Sequence, residues 1–304
     1  MNNIKDFYVL RYSIVKEEPT LIETKSLPEL KGDTILSTLL SEYSWEARGV
    51  SYAFIGFSKE VIEDSIFYVG KIAKLKKAQI GVKTSEDIVE QEIDDWKAVI
   101  LIVDTKNQFI FARKTSLFGD VSQICNSIQI GINKVVIPEY NYKVFVEPVP
   151  SKGKFWEIVD NSEKIYRLEL MMISPNIMET DKTARAALEN MKNLFNQEKT
   201  IIKMENSAGE LIIPHEPIDG YVNYIEEGEG KWELVTDDHK TQKKKKYNSD
   251  GTPEILEVDT EEVEKNNLEI MDTKQLELYE LSISRTNKFL LNIKDYIKGK
   301  VRTL

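Results

Sequence analysis

The spacing of apolar and polar positions changes period several times along the chain, and each change marks an element. Residues 7–15 (FYVLRYSIV) are rich in aromatic and β-branched side chains and predict a strand. The polar stretch Glu17–Asp33, with Pro19 and Pro28, predicts a loop. Thr34–Ser44 has helical spacing, with Asp33 positioned as its N-cap. Val50–Phe57 and Ser65–Val82 read as strands, the longer one with a bend expected at Gly70. Ala98–Val103 (AVILIV) is apolar at every position, which predicts a strand buried on both faces. Asp104–Asn107 forms a hairpin turn between it and Gln108–Arg113 (QFIFAR). In Gly119–Asn133, residues Val121, Ile124, Cys125, Ile128 and Ile132 share one helical face, with Asp120 near the N-terminus.

Past Tyr142–Val149, a strand stopped by Pro148 and Pro150, the polar link Ser151–Lys154 suggests a boundary. It divides a 1–150 N-terminal α+β domain from a 151–304 acidic, β-rich module ending in a long helix. Strands are expected at Lys164–Ile173, Thr200–Met204, Leu211–Ile213 and Glu254–Val258, and a helix at Thr183–Phe195 capped by Asp181. Gly220–Val235 reads as a hairpin turning at Gly228–Gly230, and Asp237–Asp250 as a loop holding Lys243–Lys246. Asp272–Lys298 reads as a helix of about seven turns. Its stripe includes Leu276, Tyr279, Ile283, Thr286, Leu290, Ile293 and Ile297. That stripe either packs on the chain's own sheet or pairs with a second copy. In the second case Tyr279, Ile283, Leu290 and Ile293 form a homodimer interface. The expected class is α+β: a mostly antiparallel sheet with a few amphipathic helices and a long C-terminal helix.

Charge changes this picture more than composition does. The formal net charge is −10, yet residues 205–280 hold 21 acidic side chains against 8 lysines, so the remainder is mildly basic. An acidic average therefore does not exclude a nucleic-acid partner. One cysteine, Cys125, rules out an internal disulfide framework, and no Cys-x-x-Cys offers a zinc site. The apolar runs are too short to span a bilayer and the N-terminus lacks a signal-peptide pattern, so a cytoplasmic protein without membrane insertion is expected.

Candidate chemistry is sparse. His215 and His239 are the only histidines and form no ligand cluster, and neither Gly-x-Ser-x-Gly nor a Walker A motif occurs. The one enzyme reading is a Mg-dependent nuclease, with Asp104 and Lys106 ending a buried strand and Asp94 or Asp95 upstream. The same Asp104 and Asn107 are ordinary turn formers. Basic residues offer more: Lys71, Lys74, Lys76 and Lys77 in one strand, Arg113 and Lys114 at the end of another, and Lys288, Lys298 and Lys300 in the terminal segment. If they converge, they form a phosphate-tracking surface with little sequence preference. No catalytic residue, metal or cofactor is expected.

The order Phe109-Ile110-Phe111-Ala112-Arg113, then Leu117-Phe118-Gly119 and an amphipathic helix, then Val144-Phe145-Val146-Glu147-Pro148, resembles the RexA family of the phage lambda exclusion system and related bacterial families linked to phage defence. That resemblance implies a homodimer binding double-stranded DNA non-specifically without catalysis, with Arg113 as a phosphate contact. A sensor subunit docking a partner protein is the alternative.

Overall fold

The computed structural model describes residues 4–17, 24–83, 85, 87–174, 183–237, 243–259 and 289–300. The fold is α+β, with two antiparallel sheets. The larger sheet has β1 (Ile4–Lys16), β2 (Ser44–Ala47), β3 (Val50–Ile62), β4 (Ser65–Lys83), β5 (Ile88–Asp104), β6 (Phe109–Arg113), β7 (Tyr142–Pro148) and β12 (Ile255–Asp259). Its order is β12-β1-β6-β5-β4-β3-β2. β7 and β12 follow one another along the same edge of β1, facing residues 10–16 and 4–8 respectively.

Helices cover both faces of this sheet, which explains the unbroken apolar run of β5. On one face lies α2 (Val121–Tyr140), which buries Val121, Ile124, Cys125, Ile128, Ile132 and Val136 against Leu10, Tyr12, Val99, Leu101 and Val103. Asp120 caps it, accepting from the Gln123 amide at 2.9 Å. On the other face the terminal helix, 289–300 (α6), buries Phe289, Leu290, Ile293 and Ile297 against Phe7, Val9, Phe67, Ile102, Phe109 and Phe111.

The smaller sheet, ordered β11-β10-β8-β9, comprises β8 (Ile165–Ile173), β9 (Lys199–Glu205), β10 (Gly230–Asp237) and β11 (Lys244–Asn248). Its core joins Leu168, Leu170, Met172, Trp232 and Leu234 to α3 (Lys154–Asp160), α4 (Thr183–Phe195) and α5 (His215–Tyr224).

Several expectations need correction. The helix foreseen at Thr34–Ser44 is a 3₁₀ turn, Lys31–Ile35, leading into the short α1 (Leu36–Leu39), and the Asp33 side chain does not cap it. The bend expected at Gly70 belongs to β3, whose pairing slips between Ile55 and Ser58 while Gly56 takes φ 64°. Gly70 instead admits the displaced Phe57 ring, which a Cβ there would meet at 2.4 Å. The hairpin foreseen at Gly220–Val235 is α5, a wide helical turn at Ile225–Glu229, and then β10. Ile218, Val222 and Ile225 recur at helical spacing and bury one face, and that pattern prevails over the aromatic, β-branched composition. The lysine loop contains β11, paired to β10, and Leu211–Ile213 is not a strand. Of the long helix foreseen at Asp272–Lys298, the described part is 289–300; residues 260–288, with Tyr279, Ile283 and Lys288, lie outside the described residues, as do Asp181 and His239.

Candidate functional site

The longest pairing among the described residues joins β4 to β5, from Tyr68↔Val103 to Lys83↔Ile88. The partners of these strands stop earlier. β3 reaches β4 only as far as Lys74, and β6 faces β5 only at Leu101–Asp104. Beyond Lys74 and Lys97 the two strands continue alone for about nine residues each, an arm of about 30 Å at 3.3 Å per residue.

Opposed residues of an antiparallel ladder point to the same side, and successive residues alternate. One side of the arm therefore carries Ala78 with Ile93, Ile80 with Gln91, and Val82 with Val89, with the charged pair Lys76 and Asp95 at its root. The other carries Lys77 with Asp94, Gln79 with Glu92, and Gly81 with Glu90, with Leu75 and Trp96 at the root. The apolar side continues the face that α2 covers on the main sheet, but here nothing covers it among the described residues. Val89 is 53% exposed, Ile80 41% and Val82 38%, and on the opposite side Ile88 is 66% exposed. Lys77 Nζ lies 2.7 Å from Asp94 Oδ1 and 3.3 Å from Glu92 Oε1, and those carboxylates raise its pKa.

The strands also differ in charge. Leu75–Lys83 holds Lys76, Lys77 and Lys83 and no acid, whereas Ile88–Trp96 holds Glu90, Glu92, Asp94 and Asp95 and no base. Sequence reading recovers β4 but not the distal half of β5. The overlooked signal is the recurrence of Val89 and Ile93 on one side of the strand, masked by four carboxylates.

The basic residues do not gather on one surface. Arg113 and Lys71 do come together: Leu101 faces Ala112 and Ile100 faces Lys71, so Arg113 falls on the same face as Lys71, two strands away, at about 10 Å. Lys74 and Lys76 point to the opposite face, and Lys74 lies over the Phe118 ring at 5.9 Å. Lys114 pairs with Asp6 at 3.5 Å, Lys300 with Glu254 at 2.5 Å, and exposed Lys298 sits in the field of Glu63 and Asp64, which Lys294 also pairs with. Leu290 and Ile293 are fully buried within their own chain, so they are core and not a dimer seam.

The nuclease geometry fails. Asp104 is buried and spends its oxygens on the turn, accepting from the Lys106 amide (2.9 Å), the Asn107 amide (3.1 Å) and Asn107 Nδ2 (2.6 Å). Asp94 and Asp95 lie out on the arm, about 30 Å along β5. Cys125 is buried on the sheet-facing side of α2, where desolvation pushes its thiol pKa up. His215 stacks on Trp156 at 3.9 Å and pairs with Asp219. Among the described residues no group of three or more His, Cys, Asp or Glu side chains is arranged to hold a metal.

A second polar group joins the two sheets. Arg11 of β1 donates to the Glu227 carbonyl (2.9 Å) and lies 3.8 Å from Glu229, whose other oxygen accepts from Ser13 (2.7 Å). Nearby, Lys231 of β10 bridges Glu147 of β7 (2.9 Å) and Asp250 (3.1 Å), and Asp250 accepts from Ser122 (2.5 Å). Glu147, Glu229, Arg11 and Ser13 are all buried. Of the acidic residues in 205–259, Glu229 and Asp250 thus serve the junction, and Glu205 and Glu233 the mixed-charge outer face of the smaller sheet, where Glu233 pairs with Arg167 and Lys246.

No helix among the described residues is long and apolar enough to cross a membrane. A family model described as Domain of unknown function (DUF4747) matches residues 35–277, a span that includes the whole arm. No curated protein matches the chain.

Proposed function

The chain belongs to the DUF4747 family, and we propose that it is a non-catalytic docking protein of a phage-defence system that engages a protein partner through the β4–β5 arm. The observation carrying this reading is the arm's uncovered apolar side, Ala78, Ile80, Val82, Val89 and Ile93. A two-stranded ribbon is marginal in water by itself, and an exposed apolar side on one is a binding surface or an aggregation hazard. The defence setting follows from the RexA-like order of motifs around Arg113. A photo-crosslinker at Ile93, in cells of the native host, is expected to trap a discrete protein, and one at exposed Lys59 of β3 is not. Equal capture at both positions, or none at Ile93, overturns the reading.

One observation favours the DNA reading as a second possibility: Arg113 and Lys71 share a sheet face within reach of neighbouring phosphates, and no ion pair engages Lys71, Lys74 or Lys76 among the described residues. On this reading the chain, as a homodimer, binds duplex DNA through backbone phosphates. Charge reversal at Lys71 and Arg113 then weakens duplex binding at low salt equally for every sequence. Unchanged affinity in that double variant removes it.

A further inference from the structure

We propose that the outer edge of β5 in the arm accepts an extended segment of a partner protein in which apolar residues alternate with lysine or arginine. This deepens the docking reading and rests on it. Three features of the arm carry the inference.

The first is an open backbone. From Ile88 to Ile100, β5 has a strand on one side only, β4, so every second residue turns its amide and carbonyl outward. A strand added there would make the arm three-stranded, the number at which a ribbon with an apolar face becomes independently stable. Backbone bonds of this kind supply affinity, and alternate side chains supply specificity.

The second is a template. The inner edge of β5 already holds a strand that shows part of this chemistry, with Gln79 and Gly81 opposite Glu92 and Glu90. β4 places Ala78, Ile80 and Val82 on the apolar side and Lys77 on the other, where it reaches Asp94 and Glu92. A partner on the outer edge meets the same row from behind: Val89 and Ile93 on one side, Glu90, Glu92 and Asp94 on the other.

The third is what the edge refuses. Two β5 edges from two copies, paired antiparallel with apolar sides together, set Glu90 against Glu92, Glu90 against Asp94, or one glutamate against its own copy. Like charges directly opposed destabilise a ladder. A second copy offering β4 has suitable chemistry, but that contact is head-to-tail and builds a ring or a filament in place of a two-fold pair.

The test uses the full chain and three fluorescent peptides at physiological salt. One alternates lysine with valine, one alternates glutamate with valine, and one has the lysines and valines in separate blocks. The alternating lysine peptide is expected to bind at least about tenfold more tightly than either other peptide, the scale of a few cross-strand pairs. Glu90→Lys with Glu92→Lys should reverse the preference between the first two. Equal binding of the lysine and glutamate peptides overturns the proposal, as does equal binding of the alternating and blocked peptides. So does concentration-dependent polymerisation by sedimentation, which would assign the edge to a second copy. If the peptides fail while crosslinking at Ile93 persists, the strand chemistry is wrong and the docking reading stands. If both fail, the docking reading falls too.

Discussion

Single residues show how thoroughly this chain spends its charged groups on itself. Asp104 satisfies a turn, Lys294 holds the β3–β4 hairpin to α6, and Lys231 sits between Glu147 and Asp250. Burial raises the Glu147 pKa, and the Lys231 ammonium opposes that shift. Lys231→Met therefore leaves a buried carboxylate with its main counter-charge gone, at a cost of about 3 kcal/mol at neutral pH. The sign of the pH dependence follows. With Lys231 gone the folded-state pKa of Glu147 rises further above its unfolded value. Between those two values the folded state holds the extra proton, so folding is favoured as pH falls. The stability gap between wild type and variant should narrow on acidification toward the ordinary glutamate range, as read from urea melts at several pH values. A gap that stays constant or widens toward acid would show that Glu147 does not carry the cost.

At the level of elements, the arm should be separable from the fold. The buried clusters of the main sheet end at Ala73 in β4 and Val99 in β5, and the arm beyond contributes no fully buried side chain. Replacing residues 76–95 by a tight turn is expected to leave the melting temperature within a few degrees of wild type, while removing crosslinking at the arm. A drop of more than about 8 °C, the shift of a substantial core defect, would mean that the arm packs on the body. Sequence reading recovers the elements whose pattern is set locally. Continuous apolar runs mark β5 and β6, a one-sided stripe and Asp120 mark α2, and prolines end β7. Besides the short β2 and α3, which it also passes over, it misses three elements for physical reasons. The arm half of β5 is exposed on both sides, so no burial pattern disciplines its composition. β11 is four-fifths lysine and tyrosine held as an edge strand by β10, with Lys244 over the Tyr166 ring and Lys245 over Tyr247. α5 draws its helical state from tertiary burial of Ile218, Val222 and Tyr224, against the local preference of its aromatic and β-branched residues.

For the whole molecule, the sequence boundary near residue 150 separates the two sheets but not two foldable halves. The chain leaves the main sheet at β7, builds the smaller sheet, and then returns: β12 pairs with residues 4–8 of β1, and α6 covers Phe7, Phe109 and Phe111. The sheets are also tied by buried charges, Arg11 and Ser13 to Glu229 and Glu147 to Lys231, none of which keeps its partner if the chain is cut between them. A fragment ending at residue 150 loses an edge strand and the helix over one whole face, and exposes Arg11 and Glu147 without counter-charges. It retains every residue of β1–β7 and α2, so secondary structure should persist while cooperative packing is lost. The fragment is expected to bind a hydrophobic dye and to melt without a sharp transition, whereas the full chain melts in one transition spanning both sheets. Adding the 151–304 fragment in trans should restore part of the transition, because the missing surfaces are supplied by strand pairing and helix packing and not by the linker. A 1–150 fragment that melts cooperatively alone would show that the main sheet is self-sufficient, and that β12 and α6 are accessories to it.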